Sequence, residues 1–261
     1  MIILVPVLYF SSFILSIYYI YSGKLNSSRA SSWLFLSALI YQIILLVNQT
    51  IDFKLKNIET SLFVASVFLS IFAYIFIRQN IKNLYCFFIS PVGFILTVPL
   101  LMAANGDGGA AYNNRILIIH VLLNILSHTT LLISSIFSIM FIYQHRKFKN
   151  KKVKKASRLP SLSLIEKVNF NLIICSFPIM TIGLVLGFLL AKNQIGSYWF
   201  GTVSAISIFS WLIYFSIIQM RIIYNLSGFK ISILSLLGFS SIVASYIFMY
   251  LLKLPSHTFI Q

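Results

Sequence analysis

The sequence predicts an all-α fold, a polytopic integral membrane helical bundle of about eight transmembrane helices with both termini outside. Three observations carry this. Of the 261 residues, 59% are apolar and only 9% are charged, against about 45–50% and about 25% in an ordinary soluble domain. Apolar runs of membrane-crossing length recur along the whole chain, and at about 20 residues per crossing they leave no room for a separate soluble domain. Lys and Arg gather at alternate ends of those runs, as the positive-inside rule requires. The chain is therefore expected to form one transmembrane domain, 1–261. A soluble enzyme and a disordered chain are both excluded.

The runs, in order, are approximately 2–22, 32–48, 61–77, 84–103, 116–143, 168–191, 200–220 and 231–252. The first has no basic residue before it and meets its first charges, Lys24 and Arg29, only afterwards. It reads as a retained helix, since a signal peptide carries its positive charge in front. The second run, 32–48, is the shortest, at the lower bound of spanning length. The third lies between Glu59 and Arg78, and the fourth between Lys82 and the Gly-rich loop 104–115. Arg115 and Arg146 bracket the fifth, Lys167 and Lys192 the sixth. The seventh stops at Arg221, and the eighth fits between Lys230 and Lys253.

Orientation follows from the basic residues. Lys24, Arg29, Arg78, Lys82, Arg221, Lys230 and the nine between Arg146 and Lys167 fall on one side. Lys54, Lys56, Arg115, Lys192 and Lys253 fall on the other. This places the large loop 144–167 in the cytoplasm and both termini outside; the membrane is expected to be a bacterial inner one. The formal net charge of +16 is thus a matter of topology. The basic segment Gln144–Lys155 has no accompanying DNA- or RNA-binding motif, so anionic lipid is its expected partner and nucleic acid is not.

Several chemistries lack their residues. The two cysteines, Cys86 and Cys175, lie in separate apolar runs, with no C-x-x-C pair and no C-x-x-C-H. They are expected to be buried, small apolar side chains, and covalent haem attachment to this chain is excluded. No carboxylate falls within a run, so a cation-coupled transport site built on intramembrane acids has no candidate. There is no G-x-S-x-G, and the Gly-rich loop 104–115 carries no phosphate-binding pattern. A non-catalytic role is expected.

Histidine is the informative residue type. His120 sits five residues past Arg115, about one and a half turns into the fifth helix from its outer end. His257 follows Lys253 and Pro255 just beyond the outer end of the eighth. The two are expected at similar depth on the outer side. There they can be axial ligands of one haem iron, ligands of another transition metal, or partners in interhelical hydrogen bonds. His128 falls in the run Asn124, Ser127, His128, Thr129, Thr130 and reads as a helix-packing polar group, while His145 opens the basic loop and is expected to be solvated.

Beyond composition, the residues carry a resemblance. Ile118-Ile119-His120-Val121-Leu122-Leu123, then Gln144-His145-Arg146-Lys147-Phe148-Lys149-Asn150-Lys151-Lys152, is similar to the helix and basic loop of the CcsA/HemX-like cytochrome c assembly family. Leu159-Pro160-Ser161-Leu162-Ser163-Leu164-Ile165-Glu166 follows where that family has its Leu-Pro-Pro-Leu and Glu. Ser210-Trp211-Leu212-Ile213-Tyr214, Arg221, Gly228, Leu236-Leu237-Gly238-Phe239 and Ser256-His257-Thr258-Phe259 resemble later motifs in the same order. The resemblance covers about 115–260; the first four helices match in hydropathy only.

What the resemblance implies is a haem-handling protein. In it His120 and His257 would ligate a non-covalent haem b at the outer face, with other cytochrome c assembly proteins as partners. The family's Trp-rich outer loop corresponds here to Gln194-Ile195-Gly196-Ser197-Tyr198-Trp199-Phe200-Gly201, which keeps Trp199 but neither the acid nor the Trp series. Trp199 is either porphyrin packing or part of the interfacial aromatic belt. Arg115 and Lys253 stand beside the two histidines and are the natural partners of haem propionates, or ordinary basic residues at helix ends. The degraded Trp loop also admits a small transporter or metal-homeostasis protein that keeps the bundle without haem. A receptor-like sensor using the large loop would not be expected to place its C-terminus outside.

Overall fold

A computed structural model describes residues 2–48, 58–78, 81, 84–103, 115–150, 160–195 and 202–251. Among these, eight helices form two compact units, α1–α4 and α5–α8. The chain is a polytopic helical membrane protein. Six helices are long and apolar enough to span by themselves, and the remaining two carry shorter apolar stretches, Leu62–Ile75 and Tyr85–Pro99.

In the first unit, α1 (Leu4–Ser22) stops at Gly23, whose left-handed φ of 73° lets its N–H close on the Tyr19 carbonyl at 2.8 Å. The chain turns at once into α2 (Leu25–Val47), which begins seven residues before the expected 32. The reason is the use made of its serines, which sequence alone reads as a polar connection. Ser27 and Ser32 bond back to the carbonyls of Lys24 and Ser28. Ser31 and Ser12 of α1 exchange hydroxyl-to-carbonyl bonds of 2.7 and 2.9 Å. Because the Ser12 proton is thus engaged, Ser90 donates to Ser12 Oγ at 3.0 Å.

Elsewhere in the unit, Tyr9 Oη donates to Gln42 Oε1 at 2.6 Å and accepts from Ser70 at 2.8 Å, while Gln42 Nε2 donates to Ser66 at 2.7 Å. These groups are buried. In hydrocarbon they have only one another to bond, so the polar residues select the helix faces that meet. The helix α3 (Ile58–Phe72) runs into a π-helical turn, Ala73–Ile77, where Arg78 lies 4.5 Å over the Tyr74 ring. In α4 (Tyr85–Ala103), Gly93 lets the Tyr9 ring pass so closely that a Cβ would stand 3.1 Å from it.

In the second unit, α5 (Arg115–Lys149) and α6 (Leu162–Ile195) pack as a long helical pair, with α8 (Gly228–Leu251) on α5 and α7 (Thr202–Tyr224) between α6 and α8. The α5 helix continues past the expected 143 because its last turn carries Arg146, Lys147 and Lys149, charges that complement a helix C-terminus. Asn225, with φ 46°, turns the chain out of α7, a conformation Asn tolerates better than most residues. The apolar core joins Leu131, Ile173, Met180, Tyr214, Ile217, Ile231 and Ile242.

Beside that core a buried polar network crosses three helices. Ser134 donates to Asn169 Oδ1 at 2.5 Å, Asn169 Nδ2 donates to Ser138 at 2.9 Å, and Ser134 and Ser235 hydroxyls lie 3.2 Å apart. Asn169→Ala should lower stability by about 1 kcal/mol, the ordinary worth of interhelical hydrogen bonds in membranes, since the serines can fall back on their own helix carbonyls. Unfolding of the purified protein by a graded denaturing detergent measures it.

Candidate functional site

On α5, His120, Asn124 and His128 follow one another at four-residue spacing and so form one stripe. The facing stretch of α6 is Gly183-Leu184-Val185-Leu186-Gly187. Two glycines one turn apart remove side chains from the helix surface and let a neighbouring helix approach. The space is used by the polar residues of α5. A Cβ on Gly183 would stand 2.6 Å from Asn124 Oδ1, and one on Gly187 2.7 Å from His120 Cε1.

The imidazole is fixed in this slot. His120 Nδ1 donates to the Gly183 carbonyl at 2.7 Å. That bond selects the tautomer, because a carbonyl can only accept. Nε2 is then the unprotonated nitrogen, and Asn124 Nδ2, at 3.2 Å from it, is placed to donate. A ring whose Nδ1–H is held by a backbone carbonyl presents Nε2 with the orientation and basicity that metal-ligating histidines use. The donor chemistry fits a histidine that would ligate a metal, a haem iron among them. Among the described residues no group of three or more His, Cys, Asp or Glu stands together to hold a bare metal ion, whereas a porphyrin brings four ligands of its own and asks the protein for one or two.

Of the other residues singled out in the sequence, Arg115 opens α5, its side chain outside the described residues, as are His257, Trp199 and Lys253. His128 lies two turns along α5 from His120, half-buried. His145 is not simply solvated: its ring stacks on Phe141 at 6.0 Å and meets Phe229 of α8 at 4.9 Å. Cys86 is buried, but Cys175 is exposed on the outside of α6.

Several motif residues turn out to meet one another. Arg221 Nη1 lies 2.7 Å from Glu166 Oε1 and also donates to the Leu226 carbonyl in the α7–α8 turn. Gly228 lies so close that a Cβ there would come within 2.5 Å of the Glu166 carboxylate. Tyr214 packs on Gly238, where a Cβ would be 2.9 Å from Cζ. Trp211 donates from Nε1 to Thr181 at 2.9 Å and stacks on Phe215 at 5.3 Å. The glycine pair of α6 is what the sequence reading missed; its signal was the G-x-x-x-G spacing inside an apolar helix.

The sequence profile of the cytochrome C assembly protein family matches residues 1–255, so the match extends over the first four helices, where no motif had been legible. Among curated proteins, the cytochrome c biogenesis protein CcsA of Chlamydomonas reinhardtii is 26% identical over 152 residues, 57% of this chain and 42% of that protein. Protein HemX of Bacillus subtilis (strain 168) is 26% identical over 148 residues, 54% of each chain. The CcsA of Trieres chinensis is 24% identical over 231 residues, 75% of this chain and 74% of that one. The chain thus spans about half the length of the first two of these relatives. With a family profile matched from residue 1 to residue 255, the chain belongs to the cytochrome C assembly protein family.

Proposed function

We propose that this protein handles haem in cytochrome c biogenesis as a non-catalytic assembly component of a bacterial inner membrane. It would present haem b at the outer face to other assembly proteins. The observation that carries the proposal is the His120–Gly183 bond, which leaves Nε2 as the ligating nitrogen in the segment of α5 that charge asymmetry assigns to the outer side.

In this reading His120 and His257 would hold the haem iron, with Gly183 fixing the His120 ring by accepting from Nδ1 and Asn124 lying beside Nε2; Arg115 would pair with a propionate and Trp199 would pack on the porphyrin. Bound haem would supply a redox-active iron; the protein supplies binding, orientation and electrostatics. The relatives named for cytochrome c biogenesis support the haem reading, as does the His120 Nδ1–H held by a backbone carbonyl.

The test is an absorption spectrum of the protein purified in mild detergent from haem-replete cells. The expected result is a bis-histidine Soret band that His120→Ala and His257→Ala each abolish. A haem-free preparation of the unaltered protein would overturn the proposal.

A further inference from the structure

The chain has four carboxylates, Asp52, Glu59, Asp107 and Glu166, against 20 Lys and Arg. Charge asymmetry assigns the first three to outer loops, which leaves Glu166 as the one acid of the cytoplasmic side. Its charge is met by Arg221 at 2.7 Å. The other cations of that side have no carboxylate to pair with. Two of them rest on an aromatic ring instead. Arg78 lies 4.5 Å over the Tyr74 ring at the end of the π-helical turn, and the Lys147 ammonium lies 5.9 Å over the Tyr143 ring on α5.

Each pair follows exposed apolar residues. On α5, Ile139, Tyr143 and Lys147 succeed one another at four-residue spacing and so share a face; Ile139 and Tyr143 are 57% and 58% exposed. In the first unit, Phe68, Ile71 and Ile75 are exposed on the approach to Arg78, itself exposed. Toward the cytoplasmic side, each order runs from hydrocarbon-loving side chains to an amphipathic ring and then to a cation. A phospholipid is layered the same way, from acyl chain to glycerol to phosphate.

We propose that each unit holds an anionic phospholipid of the cytoplasmic leaflet, its phosphate on Arg78 in the first and on Lys147 in the second, with an acyl chain along the apolar residues that precede the cation. The lipid supplies the countercharge that the protein lacks. A cation already resting on a ring surrenders less freedom when the phosphate arrives, and it keeps its outward N–H groups to donate. Arg221 marks the contrast: it also lies over a ring, 5.7 Å from Phe170, but Glu166 has neutralised it. Lys149, exposed at the end of α5, has no ring contact among the described residues.

The experiment is native mass spectrometry of the full chain in detergent, titrated separately with dioleoyl phosphatidylglycerol, dioleoyl phosphatidylcholine and glycerol 3-phosphate. The expected result is two phosphatidylglycerols held per chain in preference to phosphatidylcholine, with glycerol 3-phosphate not retained. Arg78→Gln and Lys147→Gln should each weaken one of the two by about fivefold, the worth of one cation at an anionic surface. Tyr143→Leu, which keeps the cation and removes its ring, should weaken the α5 site too, whereas Lys149→Gln should leave both sites intact. Equal retention of the two lipids, glycerol 3-phosphate bound as tightly as phosphatidylglycerol, or equal losses for Lys149→Gln and Lys147→Gln would overturn the proposal.

Discussion

Gly187→Leu should drive His120 out of its slot, with loss of the haem proposed to bind there, and lower the stability of the protein by about 3 kcal/mol, the sum of overpacking a tight contact and losing a buried hydrogen bond. The argument is steric. Even a methyl group on Gly187 would lie 2.7 Å from His120 Cε1, so a branched side chain must drive the ring out of its slot. The ring cannot leave and keep its bond to the Gly183 carbonyl. Removing the ring removes the conflict: in a His120→Ala background, Gly187→Leu should cost much less than in the unaltered protein. Unfolding of the four proteins of that cycle gives the coupling directly, and additive effects would show that ring and glycine do not oppose each other. The Soret band supplies a second readout, expected to vanish in Gly187→Leu and to survive in part in Gly187→Ala.

Arg221→Met should destabilise the second unit by about 2–3 kcal/mol, less than the rupture of a fully buried ion pair because solvent reaches this one. The side chains of Arg221 and Glu166 are 30% and 23% exposed. The loss exceeds that of an ordinary surface pair because Arg221 also caps the Leu226 carbonyl at the α7–α8 turn and because Glu166 is left charged against the Gly228 backbone. Glu166→Gln, which keeps the shape and part of the hydrogen bonding, should cost about 1 kcal/mol. Gly228→Ala should resemble Glu166→Gln, since it displaces the carboxylate without deleting it. Equal losses for Arg221→Met and Arg221→Lys would point to the planar fork rather than the charge.

Much of this architecture is legible from the order of charges and apolar runs. Arg115, Lys167, Lys192 and Lys230 each stand within a turn or two of an observed helix end. The departures share a cause. Ser27, Ser28 and Ser31 look like a connection when polarity is read as exposure, yet in a bilayer a hydroxyl can bond its own helix or the next one and so belongs inside. Likewise α5 and α6 outrun their apolar segments because a helix need not stop where the hydrocarbon does. The π-helical turn at Ala73–Ile77 left no mark in the sequence.

The site divides along the same line. Sequence spacing places His120 near one end of α5 but cannot say which ring nitrogen is protonated; that depends on the Gly183 carbonyl, a backbone group with no sequence signature. The meeting of Glu166, Arg221 and Gly228 was visible only as three separate motif fragments, since their contact depends on how the α7–α8 turn folds back.

The slot that holds His120 has a thermodynamic corollary. A side chain already confined to one rotamer and one tautomer has little freedom left to surrender when a ligand arrives. Affinity is then governed by the ligand itself and by whatever approaches from the other side. Amides of α5 and α6 around the slot should exchange with deuterium at similar rates with and without the haem proposed to bind there, with any ordering confined to the segments beyond.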